Sequence, residues 1–100
     1  MPPILKHDEY VERLYEQLKA NYDQVYRGLP LISRRGRLVG EIDLLGVHGG
    51  GVDIFEVKCS FRPVKARKQL AKVRKLFGAE LAETVNTWFY CGEAAQLVPV

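Results

Sequence analysis

The chain has 100 residues, of which 47% are hydrophobic, and a formal net charge of +3 at pH 7. That length predicts one domain, residues 1–100, holding one sheet and two or three helices, and the ordinary apolar share excludes an intrinsically disordered chain. No apolar run approaches the roughly 20 residues that span a bilayer, and two cysteines outside any CxxC pair exclude a disulfide framework, so we expect a cytoplasmic protein.

The first part of the chain is predicted to form a helix and three strands. In chain order these are a helix over residues 7–22 and strands over residues 24–32, 38–47 and 52–59. The predicted buried face of the helix, at helical spacing, is Val11, Leu14, Tyr15, Leu18 and Tyr22. Gly28 and Pro30 predict a break in the first strand. Gly49 and Gly50 form a typical two-residue hairpin turn between the second and third strands.

A second helix and one or two strands are predicted after Pro63, which can open a helix. The helix covers residues 64–77, and Gly78 leaves open whether it continues to residue 83. A strand rich in β-forming residues follows over residues 84–91, and residues 97–100 form a short last strand. The order α-β-β-β-α-β-(β) predicts an α/β fold with a mixed central sheet flanked by helices.

The hairpin turn sets an expected register between the second and third strands. With Gly49 and Gly50 at the turn, Asp43 faces Glu56 and Glu41 faces Lys58. Opposed residues point to the same side of a sheet and side chains alternate along a strand, so these four side chains are expected to share one face. The expected opposite, buried face consists of Ile42, Leu44, Phe55 and Val57.

Two opposed carboxylates, Asp43 and Glu56, repel each other unless a positive group lies between them. A divalent cation meets that need, and carboxylate oxygens are hard ligands that suit Mg²⁺ or Mn²⁺ rather than zinc. The alternative is an exposed pair of acids at a strand edge without a metal. For Glu41, a structural salt bridge with Lys58 is at least as probable as a catalytic role.

The two strands also resemble a known family. Gly-Glu-Ile-Asp-Leu-Leu at residues 40–45, a short hairpin, and Phe-Glu-Val-Lys at residues 55–58 resemble the PD-(D/E)XK nuclease superfamily, closest to its archaeal Holliday junction resolvase-like and small bacterial endonuclease-like branches. Ile42 stands where many relatives have proline. The resemblance extends from the first helix to the helix after Lys58, and it implies a restriction-endonuclease-like core.

The resemblance implies a role for each motif residue. Asp43 and Glu56, with the carbonyl of Val57, would ligate Mg²⁺ (or Mn²⁺), and Lys58 would position or deprotonate the attacking water. The reaction would be hydrolysis of a phosphodiester bond in DNA, selective for branched or junction structures, by a homodimer associated with the nucleoid and without an organic cofactor.

The family often adds an acidic residue from the first helix. Glu12 lies at the border of the apolar face and is favoured as that residue. Asp8 lies closer to the core and is its main rival. Both choices rest on helix angle and on the resemblance.

The basic residues are concentrated in two segments. Every charged residue from Lys58 to Lys75 is basic, and three arginines share the turn after the first strand. This distribution suits a polyanionic partner, although a solvated helix face is the alternative. The expected nucleic-acid contacts are Lys65, Lys68, Gln69, Lys72, Arg34, Arg35 and Arg37, with Ser60 as a further candidate.

Two histidines and one alternative function complete the predictions. His7 falls on the apolar side of the first helix, where a packed or hydrogen-bonded histidine is more common than a ligand. His48 lies in the turn and is expected to be solvated, with a contact to nucleic acid as the alternative. The alternative function is a non-catalytic nucleic-acid-binding subunit of the same fold, within a larger nuclease or RNA-processing complex.

Overall fold

Two helices and five strands form in the order that the spacing of apolar residues predicts. The computed structural model describes residues 6–77 and 84–100. The elements are α1 (Lys6–Leu18), a short 3-10 helix (Lys19–Asn21), β1 (Gln24–Ile32), β2 (Leu38–His48), β3 (Gly51–Lys58), α2 (Pro63–Phe77), β4 (Thr84–Cys91) and β5 (Gln96–Pro99). The predicted continuation of the second helix to residue 83 falls on residues 78–83, outside the described residues.

The five strands form one mixed sheet in the order β1-β2-β3-β4-β5. Strands β1, β2 and β3 are antiparallel neighbours, β3 and β4 are parallel, and β5 returns antiparallel to β4. A parallel pair needs a crossover connection, and α2 lies in the connection between β3 and β4. The described chain is therefore a small α/β domain, as predicted.

The two helices pack on two clusters of buried side chains. Tyr10 and Leu14 of α1 belong to a cluster with Leu44, Phe55, Val57 and Tyr90. Leu70 and Val73 of α2 belong to a second cluster with Leu31, Ile42, Leu45, Val52 and Ile54. No helix in the described ranges is long and apolar enough to cross a membrane.

The expected grouping of Ile42 with Leu44 is wrong. Leu44 is buried in the α1 cluster, whereas Ile42 is buried in the α2 cluster with Leu45. The cause lies across the ladder at Gly28, which has a positive φ of 63°. The register places Gly28 opposite Asp43, between the pairs Arg27–Leu44 and Leu29–Ile42. Gly28 thus adopts the left-handed backbone conformation, which glycine tolerates. This conformation interrupts the alternation of side chains between the two faces of the sheet at Asp43.

Tyr10 packs α1 against the chain segment that follows β4. Its buried ring lies against Gly92, directly after β4, so closely that an added Cβ at Gly92 would overlap the ring. The Gly92 N–H also donates to the carbonyl of Lys58 at 2.8 Å. Gly92 therefore contacts the end of β3, the end of β4 and α1, at the end of the sheet where Lys58 lies.

Candidate active site

The β2–β3 hairpin has the predicted turn and register near Gly49 and Gly50. His48 pairs with Gly51 and Val47 with Val52, and the ladder continues to the pair Leu44–Phe55. These pairs confirm the register from which the site was predicted. Beyond Leu44 the described pairs between β2 and β3 end, so the predicted opposition of Asp43 and Glu56 is not a ladder pair.

The side chain of Asp43 forms a hydrogen bond to β3 just beyond the last described pair of the β2–β3 ladder. Its Oδ2 accepts the backbone N–H of Val57 at 2.9 Å. A carboxylate thus stands in for the carbonyl that β2 would otherwise supply to β3. Asp43 is only 7% exposed, and a charge-assisted bond to the backbone supports this burial.

Glu56 lies close enough to Asp43 for the two charges to interact. Glu56 is 3% exposed, and burial, together with the charge of Asp43, raises its pKa to about 7, against the opposing effect of Lys58. Near neutral pH, Glu56 is therefore balanced between its protonated and ionised forms. A buried carboxyl whose ionisation is disfavoured by burial and by a neighbouring acid creates the electrostatic condition that a bound cation relieves.

Lys58 is held by two acceptors on the α2 side. Its Nζ lies 3.2 Å from Glu56 Oε1 and donates to Gln69 Oε1 at 3.2 Å. The salt bridge predicted between Glu41 and Lys58 is therefore wrong. Glu41 instead pairs with Pro30 in the β1–β2 ladder, and its carboxylate lies beside Gly28. The interruption at Gly28 and Asp43 explains why Glu41 and Lys58 do not share a face.

An open cleft of about 250 Å³ lies between α1 and the β1–β2 pair. It is lined by His7, Asp8, Val11, Glu12, Arg27, Gly28, Glu41 and Asp43. Both candidates for the additional acid, Asp8 and Glu12, are exposed at its wall. The Glu12 carboxylate forms an ion pair with Arg27, and Asp8 Oδ1 lies 3.5 Å from His7 Nδ1. The choice of Glu12 over Asp8 stays a prediction.

His7 contacts two of the motif residues from α1. Its Nε2 lies 3.0 Å from the carbonyl oxygen of Val57 and 3.4 Å from Asp43 Oδ2. Burial by itself lowers the pKa of His7, but Asp43, Asp8 and the Val57 carbonyl together raise it above its ordinary value. The prediction of a hydrogen-bonded histidine is confirmed, but the sequence reasoning assigned His7 no place in the site. Its position on the sheet-facing side of α1 was the available signal.

The predicted nucleic-acid contacts occupy two surfaces. Lys65 and Lys68 are exposed on α2, Gln69 is partly buried against Lys58, and the Lys72 ammonium donates to the Val39 carbonyl. The predicted arginines, all exposed in the turn between β1 and β2, are Arg34, Arg35 and Arg37. Because β2 and β3 are antiparallel, this turn lies at the end of the sheet where β3 ends with Lys58. Ser60 is partly buried just after that end.

A second polar cluster surrounds Asp53 near the other end of β3. Tyr22 donates its hydroxyl to Asp53 Oδ2 at 2.5 Å, Asn86 donates to Oδ1 at 2.9 Å, and His48 Nε2 lies 3.3 Å from Oδ1. Burial and the bond to Asp53 raise the pKa of Tyr22 well above its usual range. His48 is therefore only partly exposed to solvent. The cluster connects Tyr22, which follows the 3-10 helix, with the β2–β3 hairpin and β4.

The donor atoms near Asp43 fit a hard cation, although they are not gathered as a ready ligand group. Within residues 6–77 and 84–100, no three or more His, Cys, Asp and Glu side chains are arranged to hold a metal ion. The carboxylates of Asp43 and Glu56 and the carbonyl of Val57 nevertheless offer the oxygen donors that Mg²⁺ and Mn²⁺ prefer.

Comparison with known proteins leaves the site to be judged on its own chemistry. No protein-family model matches the chain, and no curated protein is significantly similar to it.

Proposed function

We propose that this protein is a metal-dependent nuclease that hydrolyses phosphodiester bonds in DNA and has a restriction-endonuclease-like core. The observation that carries the proposal is the buried pair Asp43 and Glu56 beside the ammonium of Lys58. The three groups lie beyond the last described pair of the β2–β3 ladder, and Asp43 also lines the cleft beside α1. A buried carboxyl with a raised pKa, a second buried carboxylate and a lysine ammonium suit phosphoryl chemistry better than a purely structural role.

Three oxygen donors would hold the cation. These are the carboxylates of Asp43 and Glu56 and the carbonyl of Val57. Mg²⁺ or Mn²⁺ bound there would supply a Lewis acid that lowers the pKa of a coordinated water and binds a phosphoryl oxygen. Asp43 keeps its bond from the Val57 N–H, which fixes the carboxylate relative to the Val57 carbonyl on the same residue.

Lys58 would act on the attacking water and the phosphate. Its ammonium has three N–H donors, and Glu56 and Gln69 account for two of them. The remaining donor is available to a phosphate oxygen or to the water. Gln69 has a positioning role in this arrangement, because it holds Lys58 from α2 at a distance of 3.2 Å.

The substrate we propose is DNA, with selectivity for branched or junction structures. Exposed Lys65 and Lys68 on α2 and the arginine turn between β1 and β2 supply positive charge near Lys58. Such charges neutralise phosphates without reading sequence, which suits recognition of structure. We also propose a homodimer, since a duplex has two strands and one such chain offers one site.

Cleavage of a DNA panel tests the proposal. Four-way junction, nicked, single-stranded and linear duplex DNA are incubated with Mg²⁺ or Mn²⁺ and with wild-type protein or Asp43→Asn. Asparagine retains an oxygen that accepts the Val57 N–H, so the fold is kept while the charge is lost. Asp23→Asn, an exposed acid before β1, is the matched control.

We expect cleavage by wild type and by Asp23→Asn, and a loss of about a hundredfold to a thousandfold in Asp43→Asn, the scale seen for removal of one strongly catalytic group. Equal cutting by Asp43→Asn overturns the assignment. Salt-sensitive DNA binding without cleavage in either metal instead supports the non-catalytic nucleic-acid-binding subunit.

A further inference from the structure

We infer that His7 is a ligand of the divalent cation, an inference that rests on the nuclease function proposed above. His7 reaches the site from α1, whereas the other proposed donors all come from β2 and β3. Its Nε2 faces the two groups assigned to the cation, 3.0 Å from the Val57 oxygen and 3.4 Å from Asp43 Oδ2. One nitrogen thus lies close to two oxygens, and the three atoms come from three parts of the chain.

The separations match those between neighbouring ligands of one ion. In octahedral coordination with bonds of about 2.1 Å, donors at adjacent corners lie about 3 Å apart. The distance from His7 Nε2 to the Val57 oxygen equals that value, and the distance to Asp43 Oδ2 exceeds it by little. An ion joining the three atoms therefore requires small shifts of side chains rather than a movement of α1.

The other ring nitrogen of His7 also has the surroundings of a metal ligand. Ligating histidines usually donate their second N–H to a carboxylate, a carbonyl or water, which fixes the ring. Asp8 Oδ1 lies 3.5 Å from His7 Nδ1, at the outer limit of a hydrogen bond on an exposed surface. Asp8 is then a positioning residue for His7, a role different from that of a ligand.

Glu56 explains why three ligand side chains are not already gathered. Its Oε1 lies 3.2 Å from Lys58 Nζ, and within residues 6–77 and 84–100 no three His, Cys, Asp or Glu side chains are grouped to hold a metal ion. Imidazole nitrogen is a softer donor than oxygen and favours first-row transition ions over Mg²⁺. His7 therefore predicts that the site binds Mn²⁺ more tightly than Mg²⁺.

Pulsed electron paramagnetic resonance of bound Mn²⁺ tests the inference without a turnover assay. Wild-type protein is prepared with natural and with ¹⁵N-labelled histidine, and the nitrogen modulation of the Mn²⁺ signal is recorded. The chain has 2 histidines, so His48→Gln serves as a matched control for His7→Gln. The isotope comparison uses the wild-type fold and stays decisive if a variant misfolds.

We expect modulation from one histidine nitrogen in wild type and in His48→Gln, and none in His7→Gln. We also expect His7→Gln to weaken Mn²⁺ binding by at least about tenfold and Mg²⁺ binding by less, since loss of groups around a metal commonly has effects of this size.

Three results overturn the inference. If Mn²⁺ binds, Asp43→Asn abolishes the binding and no nitrogen modulation is seen, His7 is not a ligand and the proposed function stands. If the modulation survives in His7→Gln and disappears in His48→Gln, the ligand is His48. If Mn²⁺ binds none of the proteins, the proposed metal site fails together with the role of His7.

Discussion

Replacing Glu56 by glutamine should stabilise the protein at alkaline pH when no divalent cation is present. The pKa of Glu56 is raised from 4.5 to about 7, first by burial and then by the charge of Asp43. A carboxyl with a raised pKa contributes stability that is complete below about pH 4.5 and is lost as the pH rises through about 7. Above pH 7 the folded protein therefore holds a buried charge that the unfolded chain does not have to bury.

The size of the effect follows from the shift. A displacement from 4.5 to about 7 corresponds to an upper limit of about 3 kcal/mol, since one pKa unit is about 1.4 kcal/mol. The shift already includes the favourable effect of Lys58 on the carboxylate, and the imperfect match of an amide to the contacts of the protonated carboxyl offsets about 1 kcal/mol of the gain. We expect Glu56→Gln to raise the free energy of unfolding by about 2 kcal/mol at pH 8 and to change it little, or lower it, at pH 5.

Urea unfolding at pH 5 and pH 8 in the presence of a chelator measures this difference. Asp23→Asn, an exposed acid, is the control and should follow the wild type at both values. With a saturating divalent cation at pH 8, wild type should gain stability and Glu56→Gln should gain less. If wild type is more stable than Glu56→Gln at pH 8 in the chelator, the Glu56 carboxylate is not destabilised by its surroundings and the reasoning is refuted.

Three further predictions concern the packing and the surfaces around the site. Gly92→Ala should destabilise the protein by about 1–3 kcal/mol, because the new methyl group overlaps the Tyr10 ring, and a thermal melt that matches wild type contradicts this packing. Gln69→Leu should leave the thermal melt nearly unchanged but slow metal-dependent cleavage by about tenfold or more, and unchanged cleavage removes Gln69 from the support of Lys58. Neutralising the three arginines of the β1–β2 turn together should reduce the slope of log binding constant against log salt concentration by about 3 for duplex DNA, and an unchanged slope shows that the turn does not touch phosphate.

The order of elements and the hairpin turn could be predicted because both depend on local patterns. Apolar spacing identified α1, α2 and the strands, and Gly49 and Gly50 set the register that pairs Val47 with Val52. The first helix ends at Leu18, earlier than predicted, and a 3-10 helix covers Lys19–Asn21. Tyr22 still packs against the α1 cluster, so its apolar character was interpreted correctly although its helical state was not.

The contacts of the site could not be predicted by extending the alternation of an ideal strand. The positive φ of Gly28 interrupts the pairing at Asp43, so Ile42 and Glu41 do not occupy the faces that their positions indicate. The carboxylate of Asp43 binds the Val57 N–H, a bond that no sequence spacing reveals. His7 was predicted to be packed or hydrogen-bonded because it falls on an apolar helix face, whereas its distance to Val57 depends on how α1 crosses the sheet.

Calorimetric titration of the chelator-treated protein with Mn²⁺ is the most direct test of the central claim that Asp43 and Glu56 form a metal centre. Asp53→Asn is the matched control, because Asp53 is a buried carboxylate on β3, the strand of Glu56, and its hydrogen bonds come from Tyr22 and Asn86. We predict one Mn²⁺ per chain in wild type and in Asp53→Asn, and no detectable binding in Asp43→Asn. Equal binding by wild type and Asp43→Asn, or loss of binding only in Asp53→Asn, contradicts the claim.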